Sequence, residues 1–299
     1  MFPIIPANTL VASFNKGIFG YGTAGSLTTI TNLVSDAGVI AADVAGVGTA
    51  RSGLAACEYG GDKGIFGYGS VVGAVTAITN LVSNAGVVAS DTSGVGTARN
   101  YLPACGYGTD KGIFAYGDSG GKVSMSNLVS NAGVVASDVT GVGTARAYLS
   151  ACTYGTDKGI FAYGYDGSSR VLVSNLVTNV GVVGTDNTIV GTPRAYIAAC
   201  SYGDDKGIFG YGYTTSDYTA VTNLVSNVGV VASDTSGVGT PREGLEACGY
   251  ANDKGIFAYG AVPGGRTALS NLVSNVGVVA TDVTGVGTAR NYLAACSWG

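Results

Sequence analysis

The sequence contains no histidine, and only 11% of its 299 residues are charged. The absence of histidine removes the side chain that most often acts as a general base near neutral pH. Neither a Gly-x-Ser-x-Gly elbow nor a pair of carboxylates stands out from the rest of the sequence. The sequence therefore predicts a protein that is not an enzyme, with no catalytic residue, no cofactor and no metal ion.

Basic clusters and long apolar runs are scarce as well. The net charge is −4 at pH 7, and no stripe of Lys or Arg offers a surface to nucleic acid. No apolar run approaches the roughly 20 residues that a membrane helix needs. The first residues, MFPIIPANTLVAS, lack the positive charge that begins a signal peptide. We expect no nucleic-acid partner, no membrane insertion and no export signal.

What the sequence does contain is a repeat of 47 or 48 residues, whose most regular part is Gly94 to Gly117, GVGTARNYLPACGYGTDKGIFAYG. Hydrophobic residues make up 46% of the chain, which excludes a disordered protein. In such repeats each unit buries its apolar face against the next unit. The chain is therefore predicted to be one domain of six units.

Each unit contains four short runs that are rich in β-branched and aromatic residues and bounded by Gly, Asn, Asp or Ser. In the second unit they are TNLVSN, GVVASD, YLPACGY and GIFAYG. No run has a helical period, so we predict strands and no helices. Four strands in about 48 residues predict an all-β, six-bladed β-propeller of four-stranded antiparallel blades. The predicted order from axis to rim is YLPACGY, GIFGYG, TNLVSN, GVVASD.

Side chains in the strand GIFGYG support this interpretation. Because side chains alternate between the faces of a strand, Phe66 and Tyr68 are expected to share one face, with glycines on the other. We predict that these aromatic pairs pack between adjacent blades, where each buried side chain contributes roughly 1.5–3 kcal/mol. An aromatic binding platform is the alternative.

The arrangement resembles the kelch family of β-propellers. The features that resemble a kelch unit are GTAR before the innermost strand, the Lys of DKG, and the strand IFGYG. Two features differ: the kelch double glycine is YG here, and the kelch Trp of the outer strand is absent. The near-identical tandem copies also resemble repeats of phage virion and tail-associated proteins. SDTSGVGT is loosely similar to the Asp-box of sialidase-type propellers.

The two ends of the chain compete for one place in the ring. Both Thr9–Phe14 and Tyr292–Trp298 could supply the innermost strand of the first blade. Tyr292–Trp298, YLAACSW, matches the repeat far better. We predict that the C-terminal strand closes the ring, that residues 16–299 form the propeller, and that residues 1–15 form an N-terminal arm on the rim or against a neighbouring subunit.

One cysteine occurs in each unit, in a small apolar setting such as LAAC. Equivalent positions around a ring are far apart, so we predict buried free thiols rather than disulfides. Free thiols without an export signal indicate assembly in a reducing cytoplasm. The six residues are Cys57, Cys105, Cys152, Cys200, Cys248 and Cys296.

Two sets of charged residues recur in every unit, and we interpret both as structural. Asp side chains are expected to cap turns and to pair with Arg between strands. Rings of charge around a channel are the alternative. The repeated arginines are Arg51, Arg99, Arg146, Arg194, Arg242 and Arg290. The repeated aspartates, eight residues before each Arg, are Asp43, Asp91, Asp138, Asp186, Asp234 and Asp282.

Real variation is confined to the connection between GIFxYG and TNLVS. We expect this loop to emerge on the same side as the GVGTAR connection, because strands in a blade alternate in direction. Diverse loops on a rigid scaffold are a usual place for binding, although drift in unconstrained loops is the alternative. The candidate contact residues on this loop face are Asp118, Lys122, Tyr165, Asp166, Arg170, Tyr213, Asp217, Tyr218 and Arg266.

Taken together, the sequence predicts a non-enzymatic structural or binding module. The resemblance to phage repeats implies a virion or tail-associated component that is assembled in the host cytoplasm and contacts other virion proteins or a receptor. The alternative is a bacterial surface adhesin or lectin that binds glycans outside the cell through the loop face. A propeller glycoside hydrolase is the third possibility.

Overall fold

The computed structural model describes residues 16–298, and within them the chain forms β-strands and no helix. The all-β class predicted from the sequence is confirmed. The predicted N-terminal arm, residues 1–15, lies outside the described residues.

The strands are short and follow the repeat. In the first half of the chain they are β1 (Lys16–Gly20), β2 (Thr31–Val34), β3 (Ala55–Tyr59), β4 (Lys63–Gly67), β5 (Ser70–Val71), β6 (Ala74–Val75), β7 (Thr79–Val82), β8 (Ala104–Tyr107), β9 (Lys111–Ala115), β10 (Ser126–Val129) and β11 (Ser150–Tyr154). In the second half they are β12 (Lys158–Ala162), β13 (Val173–Val177), β14 (Asn187–Thr188), β15 (Ala198–Tyr202), β16 (Lys206–Gly210), β17 (Thr222–Val225), β18 (Glu246–Tyr250), β19 (Lys254–Ala258), β20 (Ala261–Val262), β21 (Gly265–Arg266), β22 (Ser270–Val273) and β23 (Ala294–Trp298).

These strands form six principal antiparallel sheets between residues 16 and 298, which we number in chain order. Sheet 1 has the order β23-β1-β2, sheet 2 is β3-β4-β7, and sheet 3 is β8-β9-β10. Sheet 4 is β11-β12-β13-β14, sheet 5 is β15-β16-β17, and sheet 6 is β18-β19-β22. Two small hairpins, β5-β6 and β20-β21, belong to the variable loops. The predicted order of the first three strands is confirmed in every sheet.

The C-terminal strand belongs to the first sheet. Residues Lys16–Gly20 pair antiparallel with Ala294–Trp298, with Ile18 opposite Cys296. The prediction that YLAACSW joins this sheet is confirmed. The two ends of the described chain are therefore held together by a ladder of backbone hydrogen bonds.

The fourth predicted strand is only partly formed. In sheet 2 the outer segment touches the third strand at two isolated bridges, through Val88 and Thr92, and has one extra residue between them. The Asn80 side chain fills the gap, because its Nδ2 donates to the carbonyl of Ala89 and to Oδ1 of Asp91, each at 2.9 Å. The prediction of four-stranded sheets is therefore wrong for all but sheet 4, where Asn187–Thr188 pairs with the third strand; in the other five sheets the outer segment makes only isolated bridges with it.

The aromatic residues lie between sheets, but the prediction that Phe66 and Tyr68 share one face is wrong. Phe66 packs edge-to-face on Tyr21 of sheet 1 at 5.1 Å between centroids, whereas Tyr68 packs on Phe114 of sheet 3 at 5.2 Å. Tyr68 has a φ of +65°, which ends the strand and turns its side chain toward the other neighbour. Each sheet therefore contacts one neighbour through its Phe and the other neighbour through its Tyr.

Every junction between successive sheets contains its own cluster of buried apolar residues. The junction of sheet 6 with sheet 1 is one of them and contains Tyr259 and Phe19, whose centroids are 5.4 Å apart. The six cysteines lie in these junctions as buried free thiols, as predicted. Apolar burial of this kind is the main favourable term in folding.

Each thiol packs against a glycine of the next sheet. A Cβ built on Gly207 would lie 2.4 Å from Sγ of Cys152, which is closer than real atoms approach. The same contact joins Cys248 of sheet 6 to Gly17 of sheet 1. Glycine is therefore required at this position in each unit by the close approach of the neighbouring sheet.

Backbone hydrogen bonds link the starts of all six first strands. The residue two places after each repeated Arg donates its N–H to the carbonyl of its counterpart in the preceding unit, at 2.7–3.0 Å. The last bond, from Gly53 to Tyr292, returns the series to its start. All six residues have φ between +49° and +60°. They are Gly53, Tyr101, Tyr148, Tyr196, Gly244 and Tyr292.

Candidate functional site

The repeated arginines are buried in the framework rather than exposed for binding. Arg146 is 0% exposed. Its guanidinium donates to the carbonyls of Tyr163 and Thr144 at 2.8 and 3.0 Å, and to Oδ1 of Asn175 at 2.7 Å. It also lies 4.3 Å from the ring centroid of Tyr116 in the preceding sheet. Each Arg therefore links the connection before its own sheet to a strand of that sheet and to a tyrosine ring of the preceding sheet.

The repeated aspartates bind the same connections through a second set of hydrogen bonds. Asp138 accepts hydrogen bonds from the Thr97 N–H and hydroxyl at 3.0 and 2.7 Å and from Nδ2 of Asn127 at 2.9 Å. Arg99 Nη1 lies 4.0 Å away. Burial alone would raise the pKa of Asp138, but these hydrogen bonds outweigh it and the pKa is lowered. The partner of each Asp is thus the Arg that begins its own sheet.

The variable loops and the GVGTAR connections emerge on the same side, as the sequence predicts. Bridges join the residue after each repeated Arg to the start of a variable loop, for example Ala147 to Tyr165 and Ala195 to Tyr213. We call this side of the molecule the loop face. The candidate contact residues all belong to loops on this face.

Four of the residues on the loop face form one cluster. Lys122 Nζ lies 2.5 Å from Oδ2 of Asp118. The same ammonium group lies 5.1 Å from the ring centroid of Tyr148 and 5.8 Å from that of Tyr165. A cation over aromatic rings is an attractive arrangement, worth roughly 0.5–1 kcal/mol where solvent reaches it. The structure therefore brings together three predicted residues and one, Tyr148, that the prediction missed.

A second cluster lies around Arg170. Its Nε donates to the carbonyl of Tyr213 at 2.9 Å, and its guanidinium lies 5.2 Å from the Tyr213 ring centroid. Tyr218 packs edge-to-face on Tyr213 at 5.2 Å. Glu243 is close by, and burial raises its pKa despite a hydrogen bond from Tyr292 and the charge of Arg170. This cluster combines aromatic faces with both signs of charge.

The other three predicted residues make hydrogen bonds within their own loop or to an adjacent connection. Asp166 accepts the N–H groups of Ser168 and Ser169 in its own loop, each at 2.7 Å. Asp217 accepts the N–H of Tyr218 at 2.8 Å. Arg266 donates to Oδ1 of Asn291 at 2.9 Å. These contacts shape loops and leave the two clusters as the stronger candidates for binding.

At the centre of the loop face, four tyrosine rings pack against one another, and sequence reasoning missed them. The centroid separations around the group are 4.4, 4.2, 5.9 and 5.7 Å. The signal was available, because the position two residues after each Arg is Gly, Tyr, Tyr, Tyr, Gly, Tyr in chain order. The four residues are Tyr101, Tyr148, Tyr196 and Tyr292.

Below the tyrosines is a small pocket of about 40 Å³, which we call the loop-side pocket. It is lined by these rings, by Gly53 and Gly244, by a ring of Leu and Ile side chains, and by Glu246. Burial raises the pKa of Glu246 to about 8. Glu246 has no Lys or Arg partner among the ion pairs of residues 16–298. The pocket has room for about one water molecule.

A larger cavity of about 240 Å³ lies among the first strands of the six sheets, and we call it the central cavity. No residue lines both this cavity and the loop-side pocket. Glu58 lies in it, and burial raises the pKa of Glu58 to about 7. Sequence reasoning missed Glu58, although the position after each repeated Cys is Glu, Gly, Thr, Ser, Gly and Ser in turn.

Residues 16–298 contain no group of three or more His, Cys, Asp or Glu side chains placed to hold a metal ion. Within the same range no helix is long and apolar enough to cross a membrane.

No protein-family model matches this chain, and no curated protein matches it.

Proposed function

We propose that the six sheets are the blades of a closed six-bladed β-propeller. Three cyclic sets of contacts support this: the buried apolar clusters, the Cys–Gly contacts and the backbone hydrogen bonds that run from Gly53 through each unit to Tyr292 and back. In each set the last member joins sheet 6 to sheet 1. A solenoid would leave its two ends apart.

We further propose that the propeller is a non-enzymatic binding module that contacts its partner through the loop face. The observation on which this proposal rests is the contrast between the variable loops and the repeated framework. The loops of sheets 3 to 5 place Lys122, Tyr165, Arg170, Tyr213 and Tyr218 around the central tyrosines. Tyr and Arg are the residues most enriched at energetically important contacts. The buried framework has no such variation between units.

The setting that we propose is a phage virion, in which the module contacts other virion proteins or a receptor. The support is the resemblance of the tandem repeats to those of virion and tail-associated proteins. Immunogold electron microscopy of native particles would test it, with antibody against the purified chain. Label on particles is expected. Label confined to the soluble fraction of a lysate would contradict the virion setting and leave the binding surface untouched.

A glycan-binding module is the second candidate, and the aromatic character of the loop face favours it. Partly buried tyrosines flanked by charged groups provide both stacking surfaces and hydrogen bonds. A glycan array with the purified chain would separate the two candidates. A defined set of bound sugars supports a lectin, whereas equal background on all sugars excludes it.

The binding surface itself can be tested by one triple variant, Tyr165→Ala with Tyr213→Ala and Tyr218→Ala. Loss of about 2 kcal/mol or more in binding to whichever virion protein or glycan is identified is expected, because aromatic anchors dominate such contacts. The control on the same face is Val72→Ala on the loop of sheet 2, where Val72 is 91% exposed. Equal binding by the triple variant and the control would exclude this half of the loop face as the contact surface.

A further inference from the structure

The central cavity is separate from the loop face and is closed toward it. Between the two lies a ring of apolar side chains from the residues just before the six first strands, each at most 5% exposed. Access to the cavity is therefore from the opposite side, past Thr156, Asp204 and Asn252, which also line it. The ring consists of Leu54, Leu102, Leu149, Ile197, Leu245 and Leu293.

One layer of the cavity lining, formed by the residue after each repeated Cys, is largely polar. The repeated Cys side chains point into the junctions between sheets, so by strand alternation the residue after each Cys faces the cavity. Three of these residues present hydroxyl groups: Thr153, Ser201 and Ser297. Two are glycines, Gly106 and Gly249, and the sixth is Glu58.

Glu58 is the member of this level that breaks the repeat. Its carboxylate lies over Gly106, because a Cβ built on Gly106 would be 2.7 Å from Oε1 of Glu58 and 3.2 Å from Oγ1 of Thr153. A side chain at position 106 would fill that space. Gly106 therefore leaves the carboxylate and the Thr153 hydroxyl open to the same part of the cavity.

No cation in the described chain neutralises Glu58. It takes part in no ion pair among residues 16–298, and no Lys or Arg lines the cavity. The titratable groups that face it are the thiols of Cys57, Cys105 and Cys296, whose own pKa values are raised by burial, and Asp204 lines the same cavity. Desolvation is the cause that raises the pKa of Glu58. A buried carboxylate without a partner is costly, and a bound cation would remove that cost.

We propose that the central cavity binds a small organic cation with a primary ammonium group, held by the Glu58 carboxylate and by the Thr153 hydroxyl, which both lie over Gly106. An ammonium group has three N–H donors and needs acceptors of this kind around it. A divalent metal ion fits less well, because Ca²⁺ takes six to eight oxygen ligands and favours several carboxylates. This site lies away from the loop face and does not depend on the function proposed there.

Calorimetric titration of the full chain with n-butylammonium chloride tests the proposal. Binding is expected to be about tenfold tighter at pH 8 than at pH 6, because the pKa of Glu58 is about 7 and only the ionised carboxylate attracts the cation. Glu58→Gln should weaken binding at pH 8 by tenfold or more. Thr153→Val should weaken it by a smaller factor and serves as a second variant.

Three controls decide between the possible outcomes. Glu246→Gln, a buried glutamate outside the cavity, should leave binding unchanged. Tetramethylammonium chloride, which lacks N–H donors, should bind more weakly than butylammonium. No heat with butylammonium up to about 10 mM, equal binding by Glu58→Gln, or binding of calcium chloride in place of the amine would each overturn the proposal.

Discussion

The junctions between sheets and the surfaces at either end of the first strands follow opposite rules. At the junctions each unit repeats the same contacts: a buried Arg bonded to an Asn, a thiol against a glycine, and a Phe against a Tyr. At the ends, equivalent positions differ from unit to unit, as at Glu58 and Glu246. A repeat fold is stabilised by the contacts that recur in every unit. Binding sites should therefore be sought at the equivalent positions where the units differ.

The largest effect is expected at a junction. Arg146→Met should lower the free energy of unfolding by about 3–5 kcal/mol, since it leaves Asn175 and two carbonyls without their buried donor. Urea denaturation measures it. The control is Arg266→Met on the exposed hairpin of sheet 6, which should cost less than about 1 kcal/mol. Similar losses for the two variants would mean that the junction network contributes little.

A smaller effect of opposite sign is expected where one unit departs from the repeat. Burial raises the pKa of Glu246 to about 8, above its value in the unfolded chain, so the folded protein loses stability as pH rises from about 4.5 to 8. Glu246→Gln should therefore stabilise the fold by about 2–3 kcal/mol at pH 9, a figure reduced because its pocket opens to solvent.

Melting curves for this variant and the unsubstituted chain at pH 5 and pH 9 would test that sign. The difference should be much smaller at pH 5, because Glu246 is neutral in the folded protein and ionises only in the unfolded chain. If the variant melts at a lower temperature than the unsubstituted chain at pH 9, Glu246 is ionised and stabilised in the fold. If the difference between the two proteins is the same at pH 5 and pH 9, burial does not raise the pKa of Glu246.

Much of the framework could be predicted because it depends on local chemistry that the repeat displays six times. β-Branched runs bounded by Gly predicted the strands, and the match of Tyr292–Trp298 to the repeat predicted its pairing with Lys16–Gly20. The face of Tyr68 could not be predicted, because its positive φ interrupts strand alternation. The incomplete outer strand also escaped prediction, since it depends on a side-chain bond from Asn80.

The candidate site was less predictable because it depends on what meets in space. The loop residues were found by their variability, which is visible in the sequence. The central tyrosines, such as Tyr148, occur two residues after the repeated Arg in four of the six units, but the contact between their rings depends on how the units meet in space. Glu58 and Glu246 are single departures within a strand that the sequence displays, but the cavities that they face form only where the six first strands meet.

The smallest expected effect on stability concerns the Cys–Gly contact at one junction between sheets. Gly207→Ala places a Cβ 2.4 Å from Sγ of Cys152 in the neighbouring sheet, so the sheets must separate or the thiol must move. We expect a loss of about 1–2 kcal/mol in the free energy of unfolding. The double variant Gly207→Ala with Cys152→Ala removes the clash and should lose less than the sum of the two single variants. Strict additivity in this cycle would mean that the two residues do not touch, and that the junctions are less closely packed than the repeated Cys–Gly contact implies.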